Sequence, residues 1–126
     1  MKSYLILFAS LMAVSGGVYA TQNYETANIA SPEQYETLLE NENVLVLKMV
    51  LEPGESDKIH RHNDETVYFQ QGGTLTITEN GKAQTMEIPD GFVMWHPAWV
   101  HQVTNSGNSR VVAIVVEQKS NTGEMN

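Results

Sequence analysis

His60 and His62 stand two residues apart in G-E-S-D-K-I-H-R-H-N-D-E-T-V-Y-F-Q-Q-G, the stretch from Gly54 to Gly72. In an extended segment that spacing turns both imidazoles to the same side of the strand. Two neutral imidazoles aimed at one point form half of a metal site, and Glu65, three residues on, can add a carboxylate. Mixed nitrogen and oxygen ligation of this kind suits divalent Fe, Mn, Ni or Zn better than Ca or Mg. A second cluster, G-F-V-M-W-H-P-A-W-V-H-Q-V-T-N from Gly91 to Asn105, carries His101 on a different strand. A distant histidine of this sort, brought beside a His-x-His pair, gives a metal site its third side.

The elements that must position these groups are strands. From Val44 onward, short segments rich in Val, Ile, Thr and aromatics alternate with Gly, Pro and Asn turns at intervals of about ten residues, an all-β signature. V-L-V-L-K-M-V-L runs to Pro53-Gly54, and T-L-T-I-T leads into Glu79-Asn80-Gly81-Lys82. Asn-Gly there predicts a two-residue hairpin, because both central positions of a type I′ turn need positive φ. A-Q-T-M-E-I is its partner strand, F-V-M-W-H ends at Pro97, and V-H-Q-V-T-N precedes a last strand over 110–117. About eight strands in so short a span must hide their apolar faces, and closure into a barrel or double-sheet jelly roll does so without long bare edges. Such a small barrel also has a mouth for a ligand.

Helix is confined to a short N-terminal segment. Ser31-Pro32-Glu33-Gln34 carries an N-cap, a proline at the first helical position and a capping-box Gln, so a helix is expected to run to about Glu40 with Tyr35, Leu38 and Leu39 inward. Residues 21–30, polar and without period, read as a loosely held arm.

The first twenty of the 126 residues read as a signal peptide: Lys2, an apolar run from Leu5 to Val14, and Val18-Tyr19-Ala20 as the cleavage site. The apolar run is about half the length a membrane span needs, so no anchor remains after cleavage. The mature chain then starts at Thr21, and loss of Lys2 takes the formal net charge from −8 to −9. The expected organisation is a leader over 1–20, an arm and short helix over 21–43, one barrel over 44–118 and a flexible tail over 119–126, placed in the periplasm or outside the cell. An acidic chain argues against nucleic acid and anionic membranes as partners. With no Cys, disulfides and thiolate chemistry are excluded. No nucleophile elbow and no Gly-rich phosphate loop is present.

At this point the chain resembles the cupin superfamily, whose motifs are G-x5-H-x-H-x(3,4)-E-x6-G and G-x5-P-x-G-x2-H-x3-N. Gly54-x5-His60-x-His62, Glu65-x6-Gly72, Gly91-x5-Pro97 and His101-x3-Asn105 match as they stand. Two positions depart. Only two residues separate His62 from Glu65, and Trp99 replaces the second motif's Gly with His101 one residue early. The resemblance, which spans Val44 to Glu117, implies a small double-stranded β-helix barrel. It also implies one divalent metal, Fe, Mn, Ni or Zn, on His60, His62, Glu65 and His101. Three imidazoles and a carboxylate leave two positions of an octahedron open for substrate or O₂.

Around that site, strand parity and position give lesser candidates. His96 is a substrate-side or ligand-supporting residue, Trp99 narrows the mouth with apolar surface, Phe69, Met94, Val67 and Trp95 are core or pocket wall, and Gln71 has inward parity near the mouth. Arg61 and Tyr68 should face outward. The expected function is an exported metal-binding cupin acting on a small oxygenated molecule in a dioxygenase-like oxidation, with a non-enzymatic module holding a metal or small ligand as the alternative. By resemblance the barrel pairs with a second copy, through the arm or the strand from Val44 to Leu51.

Overall fold

The structure, a computed structural model, describes residues 23–119; the expected leader and the tail beyond Lys119 lie outside the described residues. One helical turn, α1 (Ala27–Ala30), precedes nine strands: β1 (Tyr35–Glu40), β2 (Val44–Leu51), β3 (His60–His62), β4 (Glu65–Gln71), β5 (Gly73–Glu79), β6 (Lys82–Ile88), β7 (Val93–His96), β8 (Trp99–Asn105) and β9 (Val111–Gln118). They form two sheets, ordered β1-β2-β9-β4-β7 and β3-β8-β5-β6. Every pairing between named strands is antiparallel.

Alternation in the sequence builds this arrangement. β2 buries Leu45, Leu47, Met49 and Leu51 and turns the residues between them outward, while β8 buries Trp99, His101, Val103 and Asn105. Each strand thus sends one stripe between the sheets, where Leu47, Leu51, Leu75 and Val111 close the core of the barrel. The expected hairpin is present: Asn80 and Gly81 have φ of 51° and 74°, and Glu79 pairs with Lys82 across the turn. Gly72 is required for a different reason. A Cβ there would lie 1.9 Å from the Ile88 carbonyl oxygen, so only glycine lets β4 pass into β5 against that backbone.

Several expectations are corrected. The helix lies at Ala27–Ala30, before Ser31, and the segment from Tyr35 is strand β1. Ser31 through Gln34 make only a turn, and Ser31 Oγ accepts the Lys58 N–H at 2.8 Å instead of capping a helix. The free edge of β2 offers β1 a ladder from Tyr35↔Met49 to Glu40↔Leu45, and that long-range pairing overrides the local cap signal. Tyr35 is buried as expected, but Leu38 and Leu39 are about half exposed (48% and 51%). The arm is also held: Glu25 O accepts the Arg61 N–H at 2.9 Å, Thr26 bridges Arg61, and Ala27 is fully buried, so the segment covers the open edge of β3.

Gln71 is exposed, because the ladder between β4 and β9 shifts register between Phe69 and Gln71 and breaks the alternation. Trp95 is exposed too, since its neighbour Met94 takes the inward position on β7. β2, the strand named above for pairing with a second copy, lies between β1 and β9, which leaves only its outer face for such a contact. Arg61 and Tyr68 turn away from the interior as expected. Among the described residues no helix is long and apolar enough to cross a membrane.

Candidate metal centre

β3 and β8 pair so that His60 stands directly opposite His101, and His62 opposite Trp99. All three histidines are buried. Their rings form a nearly equilateral triangle, with centroids 4.6 Å apart for His60 and His62, 4.8 Å for His60 and His101, and 5.0 Å for His62 and His101, each pair edge to face. One ring nitrogen from each lies within 4.8 Å of the others. Short strand β3 supplies two of these groups because its period of two keeps both side chains on the interior face.

The hydrogen bonds fix which nitrogens face inward. His60 Nδ1 lies 2.7 Å from the Lys58 carbonyl, which only accepts, so Nδ1 carries the proton and Nε2 offers its lone pair. His62 Nδ1 donates to Glu117 Oε2 at 3.0 Å. The two Nε2 atoms then face each other at 2.9 Å, where two lone pairs need a proton or a cation between them. Burial, and then the neighbouring His62, push His60 down to about 3. His101 is lowered well below the ordinary range by burial, then by His62 and His60. Burial also opposes a charge on His62, yet the Glu65 carboxylate and the Glu117 hydrogen bond outweigh it and raise its pKa. Of the three imidazoles, His62 is therefore the one whose protonated form its surroundings favour.

His101 supplies the test of fit: both of its ring nitrogens are buried and neither has a hydrogen-bond partner. An orphaned imidazole beside two others with inward lone pairs is the donor set of a divalent transition metal. These three histidines can hold a metal ion.

Glu65 does not join that group. It is buried on β4, but its Oε1 accepts the Trp99 indole N–H at 2.9 Å, and its Oε2 lies 3.1 Å from His62 Nδ1, on the side of the ring away from His60. That ring N–H is already given to Glu117, so Glu65 Oε2 accepts no hydrogen bond. Burial raises the Glu65 pKa, against the lowering effect of His62 and the Trp99 hydrogen bond. The carboxylate expected as a fourth ligand thus stands behind His62.

Trp99 is buried between two rings. His96 stacks on its outer face at 3.6 Å, and His101 lies against it at 3.9 Å. The His96 ring, half-buried on β7, stacks on that indole, and His101 packs against the same indole. Phe69, Met94 and Trp99 line a cavity beside His62 and His101, as expected of pocket wall, and Gln71 does not.

Two buried acids escaped the sequence reading. Glu117, on β9, accepts from His62 Nδ1 and, at 2.6 Å, from the Asn63 N–H, so it fixes both a histidine and the short link between β3 and β4. Its signal was present: Glu117 shares inward parity with Val115 and Ala113. Asp57 accepts from Tyr35 OH at 2.7 Å and Val103 N at 2.8 Å, and stands 3.6 Å from His60 Nδ1. Burial lifts Asp57 to about 6, against those hydrogen bonds, while burial and then Asp57 raise the Tyr35 phenol well above its ordinary value. Lying outside any strand, Asp57 had no parity to betray it. Asn105, the last motif residue, serves the fold: its amide donates to the carbonyls of Leu51 and Ser109.

With the geometry established, comparison with known proteins is informative. A cupin domain of Bordetella pertussis is 25% identical, with a TM-score of 0.64 over 68% of this chain and 92% of that one. A predicted oxalate decarboxylase of Thermotoga maritima is 26% identical, with a TM-score of 0.50 over 67% of this chain and 78% of that one. A conserved Klebsiella pneumoniae protein with a double-stranded β-helix domain, 19% identical, shares the fold over 86% of this chain and 95% of its own, with a TM-score of 0.54. No match is found among functionally curated proteins. The model of the cupin domain family matches residues 47–117, more than half of the sequence and all of the histidine triangle, and the chain belongs to that family.

Proposed function

We propose that this cupin holds one divalent transition metal on His60, His62 and His101 and uses it to bind a small molecule through an oxygen atom. The observation that carries the reading is the buried His101, unpartnered at both nitrogens and facing two inward lone pairs. His60 Nε2 and His62 Nε2 stand 2.9 Å apart, and one ring nitrogen from each of the three histidines lies within 4.8 Å of the others, near enough for one ion to meet all three. Three imidazole donors suit Fe, Mn, Ni or Zn. A bound metal of this type supplies Lewis acidity toward a substrate oxygen and, if iron, a centre for dioxygenase-like oxidation. The chain's own part is to keep His62 oriented through Glu117, to hold His60 and His101 neutral by burial, and to keep water out with Trp99.

A second reading, a non-enzymatic binding module, is favoured by one observation. Of the groups lining the cavity that can move a proton, the Tyr35 hydroxyl is already given to Asp57, and one oxygen of Glu65 accepts from Trp99. Elemental analysis of the untagged chain prepared without chelator tests the shared core of both readings. Close to one Fe, Mn, Ni or Zn per chain, lost in His62→Ala and His101→Ala, is the expected result. Equal metal content in wild type and His62→Ala would refute the site. Consumption of O₂ with a bound ligand then separates enzyme from module.

We also propose export to the periplasm or beyond, supported by Lys2, the apolar run and Val18-Tyr19-Ala20. N-terminal sequencing of the mature protein should begin at Thr21. A homodimer is part of the same reading and is argued below.

A further inference from the structure

The cavity beside the histidines has a volume of about 40 Å³. Apart from the groups at the histidine end, its wall is hydrocarbon and thioether: Met49, Phe69, Leu75, Ile77, Met94 and Val103 are among its lining. Among the described residues no Lys or Arg lines it. The donors that do line it are spent, Tyr35 OH on Asp57 and the Trp99 N–H on Glu65. The polar atoms left without partners, those of His101 and Glu65 Oε2, all lie at the histidine end. One water needs roughly 10–15 Å³ on this measure, so the space takes about three water-sized groups.

We infer that the ligand is a small molecule with a single oxygen-bearing head and an apolar body of a few carbon atoms, of the class of short-chain monocarboxylates. This rests on the metal-site reading, because the head binds where the three histidines converge. The body then lies against Met49, Phe69, Leu75, Ile77 and Met94, releasing water from apolar surface on both sides. A hydroxyl or charge lying against that wall would meet no free donor or acceptor there. One unmatched polar group lowers binding by roughly tenfold or more, and a charge by more still. The wall therefore selects against a second polar end.

The test titrates the full chain, loaded with Co(II), with butanoate, 4-hydroxybutanoate and succinate, which share head and chain length and differ at the far end. Visible absorption of the cobalt reports the head, and tryptophan fluorescence reports the cavity, since Trp99 lines it. Butanoate is expected to bind at least tenfold more tightly than either of the others. Equal or tighter binding of 4-hydroxybutanoate or succinate, or no binding of butanoate, with cobalt retained, overturns the inference and leaves the metal centre standing. Failure to retain cobalt overturns the metal centre and the inference together. Val103→Thr places a hydroxyl in the wall at nearly constant volume and should narrow the gap between butanoate and 4-hydroxybutanoate several-fold. An unchanged ratio in folded Val103→Thr would show that the wall does not set the preference, while the wild-type comparison stands whether or not the variant folds.

Discussion

The indole N–H of Trp99 donates to Glu65 Oε1 with both groups buried, so turning that carboxylate toward the histidines would leave the N–H unpaired, at a cost of about 1–3 kcal/mol. Trp99→Phe removes the donor and keeps most of the ring. It should free Glu65 to ligate and raise metal affinity by up to about tenfold, a gain that Glu65→Gln abolishes in the Trp99→Phe background. Competition titrations on the four proteins of that cycle decide it, and equal affinities for Trp99→Phe with and without Glu65→Gln would sink the idea. Glu117→Ala should weaken metal binding about 10–100-fold by releasing His62, and should destabilise the fold by about 1–3 kcal/mol by stranding the Asn63 N–H. Glu117→Gln, which keeps an acceptor there, should recover most of the stability. The pH dependence follows from which imidazole is protonated. His60 and His101 have lowered pKa values and stay neutral through mild acid, whereas His62 is raised and must lose a proton before it ligates. Below the His62 pKa, affinity should therefore climb tenfold per pH unit and level off above it, with one proton released per metal by calorimetry in buffers of different ionisation enthalpy. Release of two or three protons near neutral pH would contradict this assignment. The histidine triangle was legible in the sequence because strand parity and the cupin motifs both fix it. The place of Glu65 was not, because it depends on one indole hydrogen bond from another strand, which no spacing encodes.

The strand that carries His60 and His62 is only three residues long and lies at a sheet edge, so its position depends on what covers it. The 25–30 segment does this through the Glu25–Arg61 hydrogen bond and the packing of Ala27. Ala27→Asp buries a charge at that contact, and about 2–4 kcal/mol of lost stability is expected, with weaker metal binding. Hydrogen exchange reads it most directly: the Arg61 amide should exchange slowly in the wild type and much faster in Ala27→Asp. An unchanged Arg61 amide would show that the segment does not hold β3. The same element separates what was readable from what was not. The alternation of β2 and β8 and the Asn80-Gly81 turn are local signals that agree with the whole fold, so they could be read directly. Ser31-Pro32-Glu33-Gln34 is an equally clear local signal for a helix, yet a neighbouring strand edge outweighs it, and edges exist only once the chain has folded. Gln71 fails for a similar reason, since a register shift against β9 is a property of two strands and not of one.

Across the outer face of the five-stranded sheet, outward residues fall into continuous rows. Val46, Val116, Thr66 and Trp95 make one, and Lys48, Ile114, Tyr68 and Val93 the next. Trp95 and Val93 are among the most exposed large apolar side chains in the described residues, at 60% and 57%, with Tyr68 and Val116 beside them also exposed. We propose that this face, on a chain whose formal net charge is −8, is where the dimer forms. A two-fold contact would set each apolar row against its equivalent and leave the acidic surface at the rim. On this argument the protein should scatter light as a dimer of the 14.0 kDa chain, or of the shorter mature chain. Trp95→Glu should convert it to a monomer while changing monomer stability by only a few tenths of a kcal/mol, since the side chain packs on nothing within its own sheet's core. Association through apolar rows should also survive high salt, which screens exposed charge pairs over about 3 Å at 1 M. A dimer that dissociates in salt would place the contact on charged loops instead, and a wild-type monomer would leave this face to another partner.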